Sequence, residues 1–77
     1  MKITVVFIGS LINKMRFSEK DYILPDNSTL KTIIEKLGLE DYKKNRKLIL
    51  RNGKPIKEDD LLNDGDRIVI SHIYSGG

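Results

Sequence analysis

The 77-residue sequence contains no cysteine, no alanine and a single histidine. Because it lacks cysteine, the chain has no disulfide framework, no thiol nucleophile and no thiolate ligand for a metal ion. The one histidine, His72, has no second histidine with which to share a metal. The sequence also lacks a phosphate-binding loop, a nucleophile triad and the spacing of a known metal motif. We therefore expect no metal site and no bound cofactor.

The absence of alanine also bears on targeting. The apolar run from Ile3 to Ile12 resembles the core of a signal peptide, but no A-x-A-like cleavage site can follow it. Thr4, Gly9 and Ser10 interrupt the run, which is far too short to span a bilayer. We predict a cytoplasmic protein that has no membrane contact.

Aromatic residues are few, two Phe and three Tyr, and the net charge of +3 is small. Two charged runs stand out. The basic run comprises Lys43, Lys44, Arg46, Lys47 and Arg51, and the acidic run comprises Glu58, Asp59, Asp60, Asp64 and Asp66. Each run could steer a partner of opposite charge, but we interpret both as solvated surface, with Asp64 and Asp66 as turn formers. A nucleic-acid binder would need stacking aromatics, so direct nucleic-acid binding is the least favoured hypothesis.

Isoleucine is abundant, with 11 residues within a hydrophobic content of 39%. A chain of this length forms one small domain and buries only about 60% of the surface that it exposes when unfolded. Because it has no disulfide or metal to stabilise it, such a domain must rely on dense apolar packing.

The first third of the chain predicts two strands. Residues 2–8 are β-branched and aromatic, as is typical of a strand. Its alternation gives one face Ile3, Val5 and Phe7, and the other face Thr4, Val6 and Ile8. Residues 15–24 predict a second, more polar strand at a solvated sheet edge, which Pro25 ends.

A helix is predicted next. Ser28 is the expected N-cap, within a segment of capping residues at 26–29. An apolar stripe follows at spacing i, i+3, i+4, i+7, formed by Leu30, Ile33, Ile34 and Leu37. Gly38 stands where a left-handed C′ residue is wanted.

The remaining segments predict three further strands. Residues 47–51 form the third, Asn52-Gly53 a type I′ turn, and residues 54–57 a short edge strand. Residues 58–62 predict a helical turn, and residues 67–73 the last strand. One helix can bury only one face of such a sheet, so the expected class is α+β. The expected core is Ile3, Val5, Phe7, Leu30, Ile33, Ile34, Leu37, Leu48 or Ile49, Leu61, Ile68 and Ile70.

The segment 74–77 ends in Gly76-Gly77. Backbone without side chains can enter a narrow channel. The group so delivered is the carboxylate of Gly77, a poor electrophile until a partner that holds ATP adenylates it. A floppy, inert tail is the alternative interpretation.

Four stretches and this ending together resemble the ubiquitin-like β-grasp sulfur carriers of the ThiS and MoaD type. The stretches are residues 5–11, 27–39, 52–56 and 63–68. The resemblance implies a β-grasp domain over residues 1–73, with a mixed sheet of four to five strands packed on one helix. Residues 74–77 would form a flexible tail.

The resemblance also implies a function. A ubiquitin-activating-type enzyme would thread the tail and adenylate Gly77 with ATP and magnesium. Sulfur from a donor enzyme would then convert the terminus into a thiocarboxylate. A downstream synthase would use that sulfur for thiamine thiazole, molybdopterin or tRNA thiolation. The chain would be a carrier and not an enzyme.

Several residues would bind the activating partner. Gly76 would give access to the terminus, and Ser75, Tyr74 and Ile73 would lie in the partner's groove. The apolar residues Val6, Ile8, Val69 and Ile73 are expected to form an exposed patch on the sheet face opposite the helix. Alternatively, Tyr74 merely covers the sheet end, and the loop 11–16 covers the patch.

Two further functions remain open. Activated Gly77 could form an isopeptide bond with a lysine amine, which would make the chain a protein modifier. Alternatively, the domain is a ubiquitin-like interaction module with an inert tail.

Overall fold

The computed structural model describes residues 1–9, 18–39 and 47–72. This part of the chain contains one helix and five strands. They are β1 (Lys2–Ile8), β2 (Glu19–Ile23), α1 (Leu30–Lys36), β3 (Lys47–Arg51), β4 (Lys54–Pro55) and β5 (Arg67–His72). The strands form one mixed sheet in the order β2-β1-β5-β3-β4. The predicted α+β class is confirmed.

The two most apolar strands lie in the middle of the sheet. β1 pairs with β5 in parallel, with Val6 opposite Val69, and with β2 in antiparallel orientation. β5 also pairs with β3, and β3 with β4, both antiparallel. The charged strand β2 and the proline-containing strand β4 occupy the edges, where exposed backbone groups need protection from further pairing. The predicted edge positions are therefore confirmed.

The core lies between the sheet and one face of α1. Alternation along β1 and β5 turns one set of side chains inward, and the helix supplies the facing set. The buried residues are Ile3, Val5, Phe7, Leu24, Leu30, Ile33, Ile34, Leu39, Leu62, Ile68 and Ile70. Ile49 packs against this core, whereas Leu48 is 41% exposed, which decides between the two alternatives. Leu37, at the end of the helical stripe, is partly buried.

The start of the helix differs from the prediction. Thr29 and not Ser28 is the N-cap. The Ser28 hydroxyl instead donates to the Pro25 carbonyl at 2.7 Å, and the Ser28 carbonyl accepts from Leu62 N at 2.9 Å. Ser28 is therefore bonded to residues outside the helix, and Thr29 N donates to Thr32 Oγ1 at 3.2 Å.

The end of the helix agrees with the prediction and adds one residue to the core. Gly38 has φ +70°, as expected for a left-handed C′ position. Gly38 N donates to Glu35 O at 3.1 Å, and Leu39 N donates to Ile34 O at 3.0 Å. These two bonds form a Schellman motif, in which the residue after the glycine turns back onto the helix. Leu39 is for this reason fully buried.

Residues 58–62 form only a single hydrogen-bonded turn, which the bond from Asp60 N to Lys57 O closes at 3.1 Å, and not a helical turn that continues through Leu62. They run along the start of α1, where an antiparallel bridge joins Leu61 to Thr29. The carbonyls of Asp60 and Glu58 accept from the first two helical N–H groups at 3.2 and 2.9 Å. In this extended segment, adjacent side chains point in opposite directions. Leu61 is therefore 56% exposed and Leu62 only 4%, so the expected core position of Leu61 is wrong.

Several predicted boundaries also change. The second strand begins at Glu19 and ends at Ile23, and Leu24 is buried beyond it. Positions 15–17 of that prediction lie outside the described residues. The fourth strand spans only Lys54–Pro55. The last strand is described from Arg67 to His72, and position 73 of that prediction lies outside the described residues. No helix within the described ranges is long and apolar enough to cross a bilayer.

Polar contacts hold the edge strand β2 beside the centre of the sheet. The Thr4 hydroxyl donates to Asp21 Oδ1 at 2.7 Å, and Lys2 Nζ lies 3.3 Å from Asp21 Oδ2. The hydrogen bond from Thr4, followed by the bond and the charge of Lys2, lowers the pKa of the Asp21 carboxyl. Arg67 and Glu19 form a further ion pair at 3.5 Å.

The two adjacent leucines provide a test of the packing. We expect Leu62→Ala to lower the free energy of unfolding by about 2–5 kcal/mol, because it opens a cavity in the core. Leu61→Ala should stay within about 0.5 kcal/mol of the wild type, because the side chain is largely in solvent. Urea denaturation followed by circular dichroism measures both values, and equal losses would contradict the assignment.

The low pKa of Asp21 makes a second test possible. Thr4→Val removes the hydroxyl donor and should raise the Asp21 pKa toward the ordinary value of 3.8, as measured by carboxyl-carbon NMR titration. Because folding lowers this pKa, the bond stabilises the fold above about pH 4 and loses its effect as pH falls through the folded-state pKa.

The stability difference between Thr4→Val and the wild type should accordingly shrink in acid. Thr4→Ser keeps the hydroxyl and serves as the matched control, for which the pKa should remain low. An unchanged pKa in Thr4→Val would show that the hydroxyl is not the cause.

Candidate partner-binding face

The sheet face opposite α1 carries a group of apolar side chains. Residues paired across neighbouring strands share a face, so the strand register places these side chains in two adjacent rows. One row contains Ile8, Ser71 and Leu48, and the other contains Val6, Val69 and Leu50. We refer to Val6, Ile8, Leu48, Leu50 and Val69 as the outer-face patch.

The patch is accessible to a partner. Ile8 is 50% exposed and Leu48 41% exposed, whereas Val6, Val69 and Leu50 are half-buried by their neighbours. A contiguous exposed apolar surface on a small domain is typical of a binding site. Val6, Ile8 and Val69 face away from the helix as predicted, although their role in binding remains a prediction.

Leu48 and Leu50 were not among the predicted binding residues. Alternation along β3 gives them one face and Ile49 the other. The sequence left open whether Leu48 or Ile49 faces the core, because the run Leu48-Ile49-Leu50 is apolar throughout. The pairing of Ile49 with the buried Ile70 decides the direction.

Charged side chains occupy the other end of the same face. The register sets Thr4 beside both Asp21 and Arg67, and sets Lys2 opposite Ile23. The Arg67–Glu19 and Lys2–Asp21 pairs neutralise this end. The outer face thus has a polar end near the start of β5 and an apolar end near its last residues.

The apolar end adjoins the point at which residues 73–77 follow β5. Ser71, in the row with Ile8 and Leu48, is one residue from the end of that strand. The predicted site residues Ile73, Tyr74, Ser75, Gly76 and Gly77 lie outside the described residues. Their proposed roles, and the boundary between domain and tail, stay predictions.

Charged side chains of the basic and acidic runs contact other parts of the domain. Arg51 Nη1 donates to Leu61 O at 2.7 Å and lies 3.7 Å from Asp66 Oδ2, so its guanidinium contacts the domain itself. Positions 43–46 are not among the described residues. Asp66 accepts from Asn63 N at 2.8 Å, which confirms that its carboxylate forms the turn. The Asp64 carboxylate accepts instead from Lys2 N at 2.7 Å and joins the turn to β1. Across the described ranges, no group of three or more His, Cys, Asp or Glu residues could hold a metal ion.

Solved structures share this architecture. The Haloferax volcanii small archaeal modifier protein 1 is 10% identical with a TM-score of 0.84, covering 95% of this chain and 98% of that one. A chain in the complex of subunits 1 and 2 of the Helicobacter pylori molybdopterin-converting factor is 22% identical, with a TM-score of 0.65 and complete coverage of both chains. Sulfolobus solfataricus Urm1 is 29% identical with a TM-score of 0.63, over 91% and 99%.

These similarities confirm the ubiquitin-like β-grasp fold. No curated protein gives a significant match to the sequence. The model of the ThiS family matches residues 5–77, which is most of the domain together with Gly76-Gly77. The chain therefore belongs to the ThiS family.

Proposed function

We propose that this protein is a sulfur carrier whose reactive group is the carboxylate of Gly77. The observation that carries the proposal is the family match, which continues through the last strand and the Gly-Gly pair to residue 77. The outer-face patch at the end of β5 supports it, because this patch adjoins the origin of the tail. A single partner could engage both the patch and the tail, because the tail follows β5 in the sequence.

In the proposed reaction, a Gly77 carboxylate oxygen attacks the α-phosphate of ATP on a ubiquitin-activating-type enzyme. Pyrophosphate leaves, with magnesium held by that enzyme. The terminal sulfur of a persulfide on a donor enzyme then attacks the acyl carbon, and AMP leaves. A thiol cleaves the resulting acyl disulfide, which releases the thiocarboxylate. The absence of a side chain at Gly77 leaves the acyl carbon unhindered when the persulfide sulfur displaces AMP.

The folded domain has the role of positioning the tail. A partner that covers the outer-face patch removes the exposed side chains of Ile8 and Leu48 from water, which favours binding. At the polar end of the outer face, the charged side chains are already paired with one another. They therefore contribute to the orientation of the partner more than to its affinity. The pairing of β5 with β1 and β3 then fixes the end of the strand from which the tail continues. We place this reaction in the cytoplasm, where ATP is available.

Two of the similar structures bear on an alternative function and on a further partner. The structural similarity to the archaeal modifier protein supports a modifier function, in which activated Gly77 forms an isopeptide bond with a lysine. The similarity to the complex of molybdopterin-converting factor subunits supports a downstream synthase as a further partner. Thiamine thiazole, molybdopterin and thiolated tRNA are the proposed destinations of the sulfur. An interaction module with an inert tail is the remaining alternative.

Intact-mass analysis tests the proposed chemistry directly. The protein is incubated with an adenylating enzyme of the ThiS pathway, ATP, magnesium and a persulfide donor. We expect the mass to increase by the difference between sulfur and oxygen, and fragmentation to place the change at Gly77. The control protein carries one added bulky residue after Gly77 and should remain unmodified.

The outcomes separate the alternatives. Lysine-linked conjugates in cell extract, lost when Gly76 and Gly77 are deleted, would establish a modifier. If the terminus stays unmodified while the same enzyme activates its own carrier protein in a parallel reaction, the result would favour the hypothesis of an inert tail. Partner binding that survives the deletion would strengthen that last conclusion.

The outer-face patch is tested with a matched pair of isoleucines. Ile8 is 50% exposed at the apolar end of the face, and Ile23 is 73% exposed at the polar end. We expect Ile8→Asp to lower kcat/KM for adenylation by about 10- to 100-fold, because it places a charge in a desolvated contact. Ile23→Asp should have little effect. Equal effects of the two substitutions would contradict the proposed contact between the adenylating enzyme and the outer-face patch.

A further inference from the structure

The turn between β3 and β4 is fastened to the start of β5 by one asparagine. Asn52 N donates to Arg67 O at 2.9 Å, and Arg67 N donates to Asn52 Oδ1 at 3.1 Å. Asn52 Nδ2 in turn donates to Asp66 Oδ1 at 3.3 Å. The side chain of Asn52 therefore uses both ends of its amide to join the hairpin to the neighbouring strand.

The carboxylate that receives this bond is fixed in place. Asp66 is only 5% exposed. Its other oxygen, Oδ2, accepts from Asn63 N at 2.8 Å and lies 3.7 Å from Arg51 Nη1. With these partners on the opposite side, Asp66 cannot move freely away from Asn52. The interaction thus depends on Asn52 presenting a donor.

The sequence makes Asn52 the most reactive asparagine of the chain. It is the one asparagine that precedes a glycine. A backbone nitrogen that follows asparagine can attack the side-chain amide carbon, and glycine leaves that nitrogen unhindered because it has no Cβ. Asn52 itself lies in a solvent-exposed turn at φ +49°, followed by Gly53 at φ +86°.

We infer that Asn52 is a site of spontaneous deamidation, which the folded domain blocks and which, once it has occurred, weakens the attachment of the β3–β4 turn to β5. Gly53 N attacks Asn52 Cγ and loses its proton, and ammonia leaves with the side-chain nitrogen. Water then opens the cyclic imide to aspartate or isoaspartate. The net change is the gain of one water and the loss of one ammonia, with no oxidant or reductant.

The native contacts oppose the first step. Ring closure requires the amide to turn toward Gly53, whereas both amide atoms are hydrogen-bonded to β5 and to the residue before it. The two bonds must break before the reaction can proceed, which is expected to slow it by about 10- to 30-fold relative to the unfolded chain. The rate of deamidation at Asn52 would therefore report how often the turn opens.

The product cannot restore the interaction. A carboxylate at position 52 can still accept from Arg67 N but has no donor for Asp66. Two carboxylate oxygens would then meet where Asn52 Nδ2 and Asp66 Oδ1 now lie 3.3 Å apart. Like charges at this distance repel, most strongly where one of them is buried. Isoaspartate would also add a backbone atom to a tight two-residue turn.

The rate is measured on the full chain at mildly alkaline pH, in native buffer and in urea, with peptide mapping of position 52. We expect deamidation to be at least about tenfold faster in urea. Asn63, which precedes aspartate, serves as the internal reference. Equal rates in the two conditions would overturn the protection by the fold.

The consequence is measured by substitution. Asn52→Asp should lower Tm by about 5 °C at neutral pH, and more than Asn52→Gly, which removes the contacts without adding a charge. The double variant Asn52→Asp with Asp66→Asn exchanges acceptor and donor and should recover part of the loss. A wild-type Tm for Asn52→Asp, or a double variant that gains nothing over both single variants, would overturn the assigned repulsion.

Discussion

The parallel pairing of β1 with β5 is the interaction on which the rest of the domain depends. It joins residues 4–8 to residues 67–71, so it closes a loop of most of the chain and carries a corresponding entropic cost. Burial of apolar surface offsets this cost, because both strands present a continuous inner row to α1. Val5, Phe7, Ile68 and Ile70 are each at most 1% exposed. Neighbouring strands on both sides then complete the backbone hydrogen bonding of the pair.

The same pairing produces the candidate binding surface. Alternation along a strand sends every second side chain away from the core, and β1 and β5 carry some apolar side chains on the outer face as well. Packing uses the inner face, which leaves Val6, Ile8 and Val69 on the outside. The outer-face patch is thus rigid without contributing much to stability, a combination suited to binding. β5 connects this surface directly to the segment that contains Gly77.

The fold of this domain tolerates wide variation in sequence. Similar structures share the fold at identities from 10% to 29%, so few particular side chains are needed to maintain it. The shared requirement is a pattern of inward apolar residues, turns with positive φ and a helix of limited length. Side chains on the outer face are free of that requirement, and they can differ according to the partner.

Much of this architecture follows from local chemistry in the sequence. Helical spacing determined the stripe from Leu30 to Leu37, and Gly38 and Asn52-Gly53 marked backbone positions with positive φ. Alternation in residues 2–8 determined which of their side chains face the core. The family resemblance and the proposal for Gly77 also came from the sequence, because they depend on residue order.

Only the tertiary structure decided choices that local patterns leave equivalent. Two adjacent leucines, Leu61 and Leu62, are alike in the sequence, and the bridge to Thr29 determines which is buried. The run Leu48-Ile49-Leu50 is apolar at every position, so its direction follows from pairing with Ile70. Ser28 and Thr29 are both good caps, and the contacts of Ser28 with Pro25 and Leu62 leave the N-cap to Thr29. Each choice involves a contact between segments that are distant along the chain, which no local pattern encodes: Leu61 with Thr29, Ile49 with Ile70, and Leu62 with Ser28.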